Sequence, residues 1–173
     1  MNSPIRRDEK RRNRENRRNL NTDRIEIYTD GSCHTQKRIG AWAALILIGG
    51  KKEVLTGVAY DTTHNRMELR SVIKSIEYAG TQQPGATLRI FTDSQYVCAL
   101  PARLPRLKQN SFLTKKNNEI QNADLLKRFD QLIEKHDIEW IKVKAHQRDN
   151  SEQTTHNRFV DKLSRKLVRE NLG

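Results

Sequence analysis

Two β-rich runs that each stop on an acid constrain this chain most. Ile25 to Thr29 ends at Asp30, and Thr87 to Thr92 ends at Asp93. Between them, Asn65 to Ala79 repeats Met67, Leu69, Val72, Ile73 and Ile76 at helical spacing, with Gly80 as its expected stop. A strand, a crossover helix and a second strand set the two strands parallel, with their carboxyl ends on one edge. In open α/β sheets the working crevice lies outside that edge. The first strand is expected to turn at Asp30-Gly31, a common turn dipeptide.

The remaining segments complete a mixed sheet. Ile39 to Ile48 and Glu53 to Tyr60 read as a hairpin across Gly49-Gly50. Ser94 opens a helix that Pro101 and Pro105 are expected to shorten or break. Ala123 to His136 is amphipathic through Leu125, Leu126, Phe129, Leu132 and Ile133, and Ile138 to Val143 is a fifth strand. A polar loop from Ala145 to Thr155 leads into a last helix with Phe159, Val160, Leu163, Leu167 and Val168 inward. The pattern predicts an α/β fold with a five-stranded mixed sheet: the first three strands antiparallel, strands 1, 4 and 5 parallel, and helices on both faces.

Charge narrows the partners. The 173 residues carry a formal net charge of +12, an excess suited to a polyanion such as nucleic acid. Residues 1–24 hold nine Arg/Lys against four Asp/Glu and almost nothing apolar, so they are expected to form a basic extension ahead of a domain spanning 25–173. That extension is either a non-specific anchor on phosphate backbones or a solubilising tail; Asp8, Glu9 and Glu15 argue against a mitochondrial transit peptide. No apolar run approaches the roughly 18 residues of a membrane span. Cys33 and Cys98 lack metal-type spacing, and reduced thiols in a cytoplasmic setting are expected.

Each acid taken alone has an ordinary explanation. Asp93-Ser94 caps a helix, Glu68 lies three residues after Asn65 as in a capping arrangement, and Asp161 pairs with Arg165 at i,i+4. These explanations leave unexplained why Asp30, Asp93 and Glu68 are all directed to one sheet edge. Crowded carboxylates repel one another unless a cation offsets them, and oxygen-only ligands favour Mg²⁺ or Mn²⁺. With a polyanionic substrate, phosphodiester hydrolysis is the chemistry such a cluster suits.

The motifs YTDGSC, TTHNRMEL, FTDSQYV, KAHQ and HNRFVDKLSR, in this order from about Ile25 to Val168, resemble the type 1 ribonucleases H. The resemblance implies endonucleolytic hydrolysis of the RNA strand of RNA/DNA hybrids with two Mg²⁺ ions, Mn²⁺ being a possible substitute. It implies Asp30, Glu68, Asp93 and Asp161 as metal ligands, and His146 as a group assisting proton transfer or product departure. It implies substrate contacts at Gly31, Ser32, His64 and Asn65 along the minor groove, at Thr63 and Asn122 on a phosphate of the DNA strand, and at Gln95. From Arg103 to Lys116 lie five basic residues, no acid and Phe112; this resembles the family's basic handle, with Phe112, Lys115 and Lys116 as candidate contacts. His64 replaces a frequent Asn, and Asp61 stands where a basic residue would help grip the DNA strand. A monomer is expected. A transposase or resolvase on a related fold is disfavoured by DGSC and NRMEL, and a hybrid-binding module without catalysis by the presence of all four acids.

Overall fold

The computed structural model describes residues 24–144 and 151–173. Among the described residues, five strands and four helices follow in the order β1 (Arg24–His34), β2 (Ile39–Ile48), β3 (Lys51–Ala59), α1 (His64–Gln82), β4 (Thr87–Thr92), α2 (Gln95–Gln109), α3 (Ala123–Lys135), β5 (Ile138–Lys142) and α4 (Glu152–Glu170). The sheet order is β3-β2-β1-β4-β5. β1–β2 and β2–β3 pair antiparallel, while β4 runs parallel to both β1 and β5. The fold is therefore the five-stranded mixed sheet that the sequence pattern predicts.

Alternation along β1 divides the molecule. Ile25 and Ile27 face a large core shared with Leu69, Val72, Ile76, Leu100, Leu126 and Phe129 from α1, α2 and α3. Tyr28 faces the other way, into a smaller cluster with Phe91, Leu45 and Val160 beneath α4. The tight β2–β3 hairpin needs left-handed backbone, which Gly49 (φ 56°) and Gly50 (φ 77°) adopt without strain.

Five expectations are corrected. Asp30-Gly31 is not a turn: β1 continues to His34 because β2 keeps pairing with it from Asp30↔Ala43 to His34↔Ile39. Pairing with β4 stops at Tyr28↔Phe91, so Asp30 lies just beyond the point where β1 loses its parallel neighbour. Gly80 does not end α1, which runs on to Gln82; an added Cβ there would sit 2.5 Å from the His136 ring, so the glycine admits the end of α3. Pro101 and Pro105 both lie inside an unbroken α2, held across the lost backbone donors by buried Val97, Leu100 and Leu104. Phe159 points outward from α4, because the buried stripe is Asn157, Val160, Ser164 and Val168 at helical spacing and Phe159 falls beside it. That helix also begins before Thr155, with Ser151 Oγ capping it by accepting from Thr154 N at 3.2 Å.

Candidate active site

The part of β1 just past its pairing with β4, the carboxyl end of β4 and the first turns of α1 come together, and α4 packs on β1 from the opposite face. Gly31 makes the α1 approach possible. A Cβ on it would lie 2.3 Å from the Glu68 backbone nitrogen, so no larger residue fits without displacing the helix that carries Glu68.

Each acid is held by a donor from the chain itself. Glu68 is buried; its Oε2 accepts from Ser94 Oγ at 2.5 Å and its Oε1 from His64 Nε2 at 3.0 Å. It does not cap α1: Thr63 does, accepting from Arg66 N at 3.4 Å. Ser94, not Asp93, caps α2 by accepting from Val97 N at 3.1 Å, which leaves Asp93 free to accept from Asn157 of α4. Asp30 Oδ2 accepts from Ser164 Oγ, and Asp161 forms the i,i+4 pair with Arg165 at 2.9 Å.

Electrostatics ties the four acids together. Burial, with added repulsion from Asp93, Asp161 and Glu68, pushes the Asp30 carboxyl up to about 7 despite the Ser164 hydrogen bond. Asp93 is also raised, by burial and then by Glu68 and Asp161. The His64 imidazole is shifted upward by its hydrogen bond to Glu68, with Asp30 and Asp93 adding to it. Among the described residues, no three His, Cys, Asp or Glu side chains close on a single point in the manner of a formed ion cage; their oxygens are turned instead toward Ser94, His64, Ser164, Asn157 and Arg165. The donor set is nonetheless all oxygen, and acids that hinder one another's ionisation are those a hard cation stabilises.

Beside the acids, Asp93, Asp161, Lys144, Asn157, Arg158 and Arg165 line a small cavity of about 50 Å³. On the other flank, Arg66 joins two of the expected substrate residues. Its guanidinium donates to Asn122 Oδ1 at 3.4 Å and pairs twice with Asp124, at 2.9 and 2.7 Å, while its backbone nitrogen engages Thr63. Asn122 is buried in left-handed backbone (φ 63°) at the start of α3, and its Nδ2 donates to Tyr96 Oη at 3.1 Å. Asp61 is paired with Arg38 at 2.5 Å.

Ser32, His64, Asn65 and Gln95 keep exposed surface around this edge, whereas Gly31 is buried. Lys115 and Lys116 are exposed in the segment after α2, but Phe112 is only 9% exposed and packs into the three-helix core, so packing accounts for it. His146 lies outside the described residues. The sequence reading did not single out Arg66, Asn157 or Ser164. Asn157 and Ser164 fall within the HNRFVDKLSR motif, and helical spacing from Asp161 was the one signal available for them.

A family model described as RNase H matches residues 22–169. The chain belongs to the RNase H family. Family members named Ribonuclease H or HI are hydrolytic nucleases, and the chain is an enzyme of this kind. A Ribonuclease H of Thermoanaerobacter sp. (strain X514) is 33% identical over 153 residues, covering 87% of this chain and 94% of its own. A Ribonuclease HI of Pseudomonas aeruginosa (strain PAO1) is 34% identical over 149 residues, covering 86% and 95%. Among solved structures, LC9-RNase H1, described as a type 1 RNase H with the type 2 active-site motif, superposes with a TM-score of 0.73 at 23% identity over 86% of this chain and 74% of that one. The foamy viral protease-reverse transcriptase in complex with RNA/DNA hybrid gives 0.68 at 21% identity over 82% of this chain, which spans only 19% of that protein. Both structures share the fold. Among the described residues, no helix is long and apolar enough to cross a membrane.

Proposed function

We propose that this RNase H family enzyme hydrolyses the RNA strand of RNA/DNA hybrids as an endonuclease, with Asp30, Glu68, Asp93 and Asp161 holding two divalent ions, Mg²⁺ or in its place Mn²⁺. The observation that carries the reading is the gathering of four acids at one edge by β1, α1, β4 and α4, where burial first, and repulsion from Asp93, Asp161 and Glu68 after it, lift Asp30 to about 7. Membership of the family, a fold shared with an enzyme solved on an RNA/DNA hybrid and the net charge of +12 support the substrate.

Two such ions, when bound, supply activation of the attacking water and stabilisation of charge on the leaving oxygen in an in-line displacement. The chain's own groups do the rest. Ser94 and His64 fix the Glu68 carboxylate, and Ser164 and Asn157 fix Asp30 and Asp93. The Gly31-Ser32 backbone with His64 and Asn65 tests the minor groove for the 2′-hydroxyl that distinguishes RNA from DNA, and Gln95 adds a further substrate contact. Thr63 and Asn122, joined through Arg66, hold a phosphate of the DNA strand. Lys115 and Lys116 contact backbone phosphates, the basic extension of residues 1–24 adds non-specific attraction, and His146 assists proton transfer or product departure. The enzyme acts as a monomer in the cytoplasm, a setting supported by the unpaired Cys33 and Cys98.

The test is incubation of the purified protein with labelled RNA/DNA hybrid, RNA duplex, DNA duplex and single strands, with Mg²⁺ or EDTA. Internal cleavage of the RNA in the hybrid alone, abolished by EDTA, is expected. Cleavage of DNA, or hybrid binding without Mg²⁺-dependent cleavage, overturns the reading.

A further inference from the structure

Ser164 has no solvent exposure and stands between two of the acids. Its Oγ donates to Asp30 Oδ2 and lies 3.0 Å from the Asp161 backbone carbonyl. Serine in a helix often bonds the carbonyl three or four residues back, so the Asp161 contact needs no function. The Asp30 contact is different. It reaches 134 residues along the chain, from α4 to β1, and it is made to a carboxylate whose charge burial opposes first and Asp93, Asp161 and Glu68 oppose further. One turn away on either side, the same stripe is filled by Val160 and Val168. A hydroxyl there is costly to bury without a strong acceptor, and Asp30 supplies one.

Asn157, Asp161 and Ser164 follow at i, i+4 and i+7, so one face of α4 carries a donor for Asp93, an acid, and a donor for Asp30. We propose that Ser164 is a positioning residue: its hydroxyl locks the Asp30 carboxylate to α4, so that Asp30 and Asp161 present their oxygens to the same cations. The proposal rests on the metal-binding reading above. Outer partners that orient a ligating carboxylate typically set metal affinity by about 10- to 100-fold.

The test is calorimetric titration of MgCl₂ into the full chain without nucleic acid, for wild type, Ser164→Ala, Ser164→Thr and Asp93→Asn, paired with the Mg²⁺ dependence of hybrid cleavage. Ser164→Ala is expected to bind Mg²⁺ about tenfold more weakly. Its half-saturating Mg²⁺ in cleavage should rise by the same factor, and Ser164→Thr, which keeps the hydroxyl, should restore binding. If Ser164→Ala binds like wild type while Asp93→Asn does not, the Ser164 role is refuted and the metal reading stands. If Asp93→Asn binds like wild type, the metal reading fails and takes this proposal with it. Should Ser164→Ala lose its thermal transition, Ser164→Cys replaces it, since a thiol donates weakly; wild-type Mg²⁺ affinity in that variant refutes the proposal.

Discussion

On the face of the sheet covered by α1, α2 and α3, Ile25, Ile27, Leu88 and Ile90 meet Leu69, Ile76, Leu100, Leu126 and Phe129 in one continuous apolar layer. On the opposite face, which among the described residues only α4 covers, the apolar cluster is small, and polar groups are threaded through it. Tyr28 stacks on Phe91 at 4.4 Å and takes the edge of the His156 ring at 4.9 Å, while Ser164 and Asn157 reach the acids of β1 and β4. One face concentrates the burial that stabilises the domain, and the other accepts polar burial in exchange for a site. The two meet at Gly31 and Glu68, where the backbone of α1 presses against β1 with no room for a side chain.

The largest expected effect on stability lies on the three-helix face. Phe129 is fully buried and packs against Trp140 with ring centroids 5.5 Å apart. Phe129→Ala should cost about 3–5 kcal/mol in denaturant unfolding through lost burial and the cavity left behind. Turnover per folded molecule should not change. A drop in kcat with unaltered stability would break the division between the faces.

Gly31→Ala probes the seam. Its Cβ would collide with backbone, which cannot rotate away as a side chain can. Overpacking of this kind costs about 1–3 kcal/mol, and displacing Glu68 by about 1 Å should lower kcat about a hundredfold. If hybrid cleavage survives while stability falls, Glu68 does not depend on the α1 approach.

Periodicity made the layers readable: the Gly49-Gly50 hairpin, the apolar spacing of α1 and α3 and the short β runs are local patterns, and each forms where its pattern lies. The errors came where a distant partner decides. Asp30-Gly31 has the chemistry of a turn, and β2, arriving from residues 39–43, keeps it in a strand. Pro101 and Pro105 should interrupt α2, and core contacts of Val97, Leu100 and Leu104 carry the helix through. The motifs mark Asp30, Glu68, Asp93 and Asp161 as the expected ligand set, and strand ends direct the eye to Asp30 and Asp93. Ser164 and Arg66 were not legible, since a serine one turn past an acid and an arginine inside a helix acquire meaning only from what packs opposite them.

Arg66 also supplies the smallest test of the comparison. It begins in α1 beside the site and pairs with Asp124 in the first turn of α3, so it fastens the three-helix layer to the site's rim. The Arg66 hydrogen bonds hold the Asp124 carboxyl down at about 2, against 3.8 when unfolded. For an acid with a depressed folded value, the stabilisation is complete above the unfolded value and is lost as protons bind the folded state. The contribution should therefore be full above pH 4 and fade as pH falls toward about 2. Because the Asp124 side chain is 62% exposed, it should amount to less than about 1 kcal/mol. Urea midpoints of wild type and Asp124→Asn, compared from pH 7 down to pH 2, should differ slightly at neutral pH and converge in that acid window. A gap that stays constant across the window would mean that the amide disturbs packing at the start of α3, and that the ion pair contributes nothing to joining the layers.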